Sequence, residues 1–298
     1  MHWITASLIA AFFLGCYELF TKLAVRDNAV LPVLFFSTVT NAVIWTTLMS
    51  LDAAQPGLLP AGLTVAPLTL LQHGQLALKS TIVAASWVCT YFAVKQLPMS
   101  LASPIRATGP IWVFFGALLI LAERPTGLEM AGVATTIASF VGLSFAGRQE
   151  GIHFHRNKWV FLLIGGTILG GMSALYDRFL LSRAGFTAAT VQAWFSVYLA
   201  VVFLPIVIGW KLRWWPRNVF HWRWSIVLLS LALLISDYIY FSALRNPAAL
   251  ISLVSSLRRA STLVAFSGGL IFFHEKNGRQ KLPAVLGVMA GIVMTVLG

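Results

Sequence analysis

Runs of some twenty residues with hardly a charge recur along the whole chain, and nothing else in the sequence limits the fold as severely. A helix that crosses a bilayer needs roughly 20 mostly apolar residues. Ten such runs can be placed, at 3–25, 30–51, 80–97, 100–122, 127–146, 159–181, 187–210, 224–244, 248–273 and 282–297. A soluble protein carries about 25% charged residues. Here the share is 10%, against 58% hydrophobic. The chain is therefore expected to be an all-α polytopic membrane protein with ten transmembrane helices. The first run has no basic segment before it, and Glu18 and Lys22 interrupt only its far end. It reads as a membrane helix rather than a cleaved leader. The longest connection is expected between the second and third runs, at "DAAQPGLLPAGLTVAPLTLLQHGQ".

The two halves of the chain resemble each other. "YFAVKQLPMSLASPI", from Tyr91, aligns with "YFSALRNPAALISLV", from Tyr240, matching Pro98 to Pro247 and Ser103 to Ser252. "LLILAERP" and "LIFFHEKN" each close an apolar run with a glutamate, Glu123 or Glu275. "GCYELFTKLAV" aligns with "GMSALYDRFLL", which sets Lys22 over Arg178. Three matches in the same order predict a repeat of five helices at 1–146, a basic connecting loop at 147–158, and a second repeat at 159–298. Five is odd, so the second copy has to be inverted relative to the first. Inverted repeats are the architecture of many secondary transporters, whose substrate sites lie near mid-membrane between the copies.

With these segments in view, the chain resembles the EamA-type ten-helix members of the drug/metabolite transporter superfamily. The resemblance rests on "LPMSLASPIRATGPIWVFFGALLILAERPTGLEMAGVATTIASFVGL" in the first copy and "NPAALISLVSSLRRASTLVAFSGGLIFFHEKNGRQKLPAVLGVMAGIVMTVLG" in the second. It implies a secondary transporter of a bacterial inner (plasma) membrane, an exporter or exchanger of a small metabolite, and not an enzyme. It does not specify the substrate. Small multidrug-resistance relatives carry a glutamate two turns before a lysine in their first helix. Here Leu14 occupies that spacing from Lys22, and Glu18 lies one turn before it.

Charges inside the runs are the candidate site, because an ionised side chain at the bilayer centre costs about 2.5–3.5 kcal/mol even on the most lenient scale. The candidates for substrate binding or coupling are Arg258, Arg259, Asp237, Glu18, Lys22, Arg106 and Arg178. Arg258 falls near mid-membrane, and Asp237 lies at similar depth across the turn at Arg245-Asn246-Pro247. Adjacent helical residues point about 100° apart. One arginine is expected to pair with Asp237 while the other faces a cavity, or the pair is purely structural. Glu18 and Lys22, one turn apart, are expected to form a local ion pair with Lys22 snorkelling to headgroups; alternatively Glu18 takes up a proton or a substrate amine. Lys22 and Arg178 mark two ends of a cavity or two interfacial anchors. Arg106 anchors its helix or lines the cavity, and Asp177 sits near the interface. Basic groups outnumber acidic ones in this set, which points to an anionic or zwitterionic substrate.

Other classes of function find little footing. Net charge is +12, but the cations sit in short loops, where membrane topology accounts for them, and no nucleic-acid partner is expected. There is no phosphate-binding Gly-rich loop followed by Lys-Ser/Thr, no expected cofactor and no expected metal. Cys16 and Cys89 both fall in apolar runs and have no metal or disulfide spacing. The expected partners are a small-molecule substrate and the lipid bilayer, with monomer and homodimer both open. Most loop cations follow odd-numbered runs, as at Arg26, Lys95, Arg156, Arg213 and Lys281, whereas Lys79, Arg124, Arg183 and Arg245 follow even ones. That bias puts both termini outside, whereas the resemblance implies both in the cytoplasm.

Overall fold

A computed structural model describes residues 3–60, 62–109, 111–112, 126–148, 151–182, 184–214, 218–244, 258, 260–275 and 278–297. Among them the chain is all-helical, with ten helices in the order α1 (Trp3–Val25), α2 (Val30–Ala54), α3 (Leu70–Gln96), α4 (Met99–Ala107), α5 (Gly127–Arg148), α6 (Lys158–Ser182), α7 (Ala188–Lys211), α8 (Ser225–Leu244), α9 (Ser261–Phe272) and α10 (Gly278–Leu297). Five stretches are long and apolar enough to cross a membrane: Thr5–Val25, Val30–Ala54, Leu70–Gln96, Lys158–Leu181 and Ala188–Lys211. Gly127–Leu143, Ser225–Tyr240 and Ser261–Phe272 are shorter apolar helical stretches. The runs expected at 100–122 and 248–273 are described only in part, as α4 and α9.

One boundary departs from the sequence reading. The third run was expected at 80–97, but α3 starts ten residues earlier, and α2 continues to Ala54. The expected long connection shrinks to 55–69. Thr69 supplies the reason. Its hydroxyl accepts from Gln72 N at 3.4 Å, and the Gln72 side chain accepts from Thr69 N at 2.9 Å. This reciprocal cap satisfies two orphan donors and nucleates a helix where hydropathy gives no signal. Thr126 and Glu129 repeat the device before α5, with Thr126 N donating to Glu129 at 2.6 Å. The extra turns carry Lys79 from a loop into the body of α3.

The interior is largely apolar, but the surface is apolar too and buried polar groups are numerous. Phe12, Phe145, Phe161, Val201, Ile271 and Phe272 are exposed, each at 55–69%. Glu18, Lys79, Lys281 and a large set of Ser and Thr are buried. Many of these hydroxyls donate to the carbonyl one turn earlier, as Thr21 does to Tyr17 O at 2.8 Å and Thr167 to Leu163 O at 2.8 Å. Polar groups so satisfied are compatible with a bundle that has hydrocarbon outside and no bulk water within. Trp214, Trp222 and Trp224, beside the 212–224 connection, are exposed, as an interfacial aromatic belt requires.

Helix packing runs mainly between the first and second halves of the chain. α1 lies on α8 and α9, α2 on α7 and α8, α3 on α6 and α7, α4 on α9, and α5 on α10. Glycines set the closest approaches. A Cβ at Gly166 would stand 2.7 Å from Thr90 Oγ1 and 3.0 Å from Ser86 O, and Ser86 donates across this contact to Gly166 O at 2.7 Å. A Cβ at Gly291 would stand 2.7 Å from Gly132 O, at the α5–α10 contact. The small-residue spacing at Gly166/Gly170 and Gly287/Gly291 therefore reflects close helix packing. Gly15 makes the same kind of approach to Val264 on α9.

Gly166→Val is expected to destabilise the bundle by about 1–3 kcal/mol through overpacking. Gly165→Ala next to it, where a Cβ meets nothing within 4 Å, is expected to leave stability unchanged. Thermal unfolding of both variants in mild detergent checks this.

Candidate functional site

Among the described residues, the buried ionisable side chains sort into three ion pairs and one capped turn. The first pair is not the local one expected from helical spacing. Glu18 on α1 lies 3.3 Å from the Arg106 guanidinium on α4, and its other oxygen accepts from Ser103 Oγ at 2.6 Å. Arg106 also stands over the Tyr17 ring, 6.0 Å from its centroid, and the Tyr17 and Tyr91 hydroxyls are 3.2 Å apart. Three helices, α1, α3 and α4, are thus joined by one buried polar cluster. Arg106 pairs with Glu18.

Lys22 points inward, contrary to the snorkelling expected for it. Its ammonium donates to Val94 O and Leu97 O, both at 2.6 Å, and to Lys95 O at 3.4 Å. These are the orphan carbonyls at the end of α3, the negative pole of that helix. On the other side of the turn, Glu275 accepts from Met99 N at 2.5 Å and Ser100 N at 2.7 Å, the positive pole of α4. Pro98 between them offers no N–H. Lys281, fully buried, donates to Ser100 Oγ at 2.7 Å. A cation and an anion, each on a different helix or loop, thereby fix the α3–α4 turn from both sides.

The second pair joins Lys79 on α3 to Asp177 on α6, with Lys79 also 4.6 Å from the Phe195 ring centroid on α7. Lys79 is 4% exposed. The sequence reading left it in a loop and placed Asp177 at the interface. At 1.5 Å per residue, Lys79 lies roughly 14 Å along α3. The third pair joins Asp237 on α8 to Arg258, which stacks on Tyr240 at 4.1 Å. Depth alone points to Asp237 with either Arg258 or Arg259, and the partner found is Arg258. Arg259 and the side chain of Arg178 lie outside the described residues. The charge balance changes accordingly: each of Glu18, Asp177 and Asp237 has its own cation, and Lys22 is satisfied by carbonyls.

Next to the third pair a small recess of about 10 Å³ opens between α2, α3, α7 and α8. Thr38, Asn41, Trp87, Gln192, Ser196 and Asp237 contribute its polar and aromatic lining. Asn41 is 9% exposed, and its Oδ1 has no hydrogen-bond partner among the described residues; neither has Arg258 Nε. Sequence reasoning named neither Asn41 nor Gln192, because a neutral amide in an apolar run looks like any small polar helix residue. The signal for Lys79 was present in the Thr69–Gln72 capping box.

No family model and no curated protein matches this chain. A solved structure described only as the crystal structure of a protein is similar over 98% of both chains, with a TM-score of 0.62 and 16% identity. At that identity the likeness is one of fold.

Arg106→Gln leaves the Glu18 carboxylate buried without its cation and is expected to lose about 3–5 kcal/mol. The double variant Glu18→Gln/Arg106→Gln is expected to recover most of that loss. A thermal-unfolding double-mutant cycle measures the coupling, and simple additivity would dissolve the pair as a unit.

Proposed function

We propose that this protein is a secondary carrier, of the EamA type within the drug/metabolite transporter superfamily, for a small polar or amphipathic metabolite that is anionic or zwitterionic. The observation that carries the reading is the position of the recess. Two of its walls, α2 and α3, come from the first half of the chain, and two, α7 and α8, from the second. A site shared by the halves can open to either side when one half rocks against the other. Arg258, with Nε unpartnered among the described residues, offers the substrate's anionic group a directed donor.

The packing pattern supports two five-helix copies. Advancing every helix by five turns the α1–α8 contact into α6–α3, α3–α7 into α8–α2, and α1–α9 into α6–α4, all of which occur. The α2–α7, α4–α9 and α5–α10 contacts map onto themselves. That is the exchange expected of two copies related by a two-fold axis. The ten crossings, the inner (plasma) membrane and the outside placement of both termini belong to this proposal. Burial of Lys79 and Lys281 removes one cation from each side of the charge count and leaves its sign unchanged.

Proteoliposomes holding the folded protein are expected to show saturable uptake or counterflow in a survey of small labelled metabolites. Asp237→Asn/Arg258→Gln, which removes the pair without stranding a charge, is expected to abolish that flux while thermal unfolding stays near the parent value. A folded, reconstituted parent that moves none of the surveyed solutes defeats the proposal. A reporter active only in the cytoplasm, fused after Gly298, is expected to stay dark; a strong signal reverses the assigned orientation.

A further inference from the structure

The connection between α7 and α8 is pinned from within and presents cations and apolar side chains outward. Asn28, buried in the α1–α2 turn, pairs its side-chain amide with the backbone of His221. Its Nδ2 donates to His221 O and its Oδ1 accepts from His221 N, both at 2.8 Å. Arg223 donates to Leu23 O at 2.8 Å and to Arg26 O at 2.5 Å, at the carbonyl end of α1. Phe220 stacks on Phe36 of α2, with ring centroids 5.3 Å apart. These contacts fix the path of the connection across the ends of α1 and α2. What remains outward is of two kinds. Leu212, Trp214, Val219, Trp222 and Trp224 are exposed at 51–74%. Lys211 and Arg213 are exposed as well, and neither forms an ion pair among the described residues. From Lys211 to Trp224 the sequence holds Lys211, Arg213, Arg217 and Arg223 and no acid. Asp27, an exposed acid of the α1–α2 turn, lies 3.7 Å from Arg26.

A second connection of equal charge supplies the contrast. Arg156 and Lys158, between α5 and α6, are exposed. They lie at the same end of the bundle. Phe154 and Val160 share a hydrophobic cluster with Leu97 at the end of α3, and Lys95, also at that end, donates to Asn28 O at 2.6 Å. Yet no large apolar side chain of 151–158 is exposed. Membrane topology accounts for cations in both connections. It does not account for exposed tryptophans interleaved with them in one alone. Indole rings settle at headgroup level, and lysine and arginine there attract anionic headgroups.

We propose that the 211–224 connection is a docking surface for anionic phospholipid of the surrounding bilayer. Lys211 and Arg213 meet the headgroups, and Trp214, Trp222 and Trp224 sit beside them in the interface. With both termini outside, as proposed above, this end of the bundle meets the cytoplasmic leaflet, the one that carries anionic lipid. The site is independent of what the protein carries.

The test is lipid retention by the full-length protein in mild detergent, measured by native mass spectrometry. The added lipid is dioleoylphosphatidylglycerol, which is anionic, or dioleoylphosphatidylcholine, which is not. The parent is expected to retain the anionic lipid in preference. Lys211→Gln/Arg213→Gln is expected to weaken that retention about 5- to 25-fold, up to about fivefold per cation, and to leave the phosphatidylcholine value unchanged. Arg156→Gln/Lys158→Gln removes the same charge from the other connection and is expected to leave both values nearly unchanged. Thermal unfolding without added lipid checks that each variant is folded. If the Lys211/Arg213 double variant is not, either single substitution is expected to cost about fivefold. Equal retention of the two lipids by the folded parent overturns the proposal. So does retention indifferent to the change at Lys211 and Arg213. An equal loss from the change at Arg156 and Lys158 overturns it too, since charge alone then accounts for the binding.

Discussion

Charge in a medium that cannot solvate it is the constraint on which the bundle depends. Glu18, Asp177 and Asp237 all sit on apolar helices, and each takes its cation from elsewhere: Arg106 on α4, Lys79 on α3, and Arg258 ahead of α9. An isolated ion at such depth is penalised heavily, whereas a hydrogen-bonded pair is tolerated. Each pair therefore fixes which helices can be neighbours and in what register. Apolar surface cannot do this, since lipid tails cover it as well as another helix does.

The same economy governs the α3–α4 turn. A helix that ends inside a bundle leaves carbonyls unpaired, and one that begins there leaves N–H groups unpaired. Water cannot answer either need. Lys22 answers the first and Glu275 the second, from α1 and from the segment after α9. Two residues distant in sequence thus fix one turn, and the turn in turn presents Ser103 and Arg106 to Glu18. Movement of α1 or of the segment after α9 acts directly on the polar cluster that joins α1, α3 and α4.

The recess differs from these closed pairs in being incomplete. Its walls come from both halves of the chain, its lining is rich in oxygen, and Asn41 Oδ1 and the nearby Arg258 Nε lack partners among the described residues. Elsewhere many hydroxyls bond within their own helix and the buried acids are paired, although Trp45 Nε1, Trp112 Nε1 and Ser225 Oγ also lack partners among the described residues. The Lys79–Asp177 pair stands close by, since Lys79 faces the Phe195 ring that also lines the recess.

The sequence by itself determined the helical class and most helix spans, because the hydrophobic requirement is local and can be summed residue by residue. It matched Asp237 in depth to Arg258 or Arg259, and left open which of the two is its partner. It misplaced the start of α3, because capping by Thr69 and Gln72 leaves no mark on hydropathy. It paired Glu18 with Lys22, because helical spacing shows neighbours on one helix and hides those on another. Only tertiary structure decided that Glu18 meets Arg106, that Lys22 answers carbonyls of α3, and that Lys79 meets Asp177. Asn41 became visible only there as well. A neutral amide is unremarkable in a sequence, and its burial against three other helices, with no partner for Oδ1 among the described residues, is a property of the packing alone.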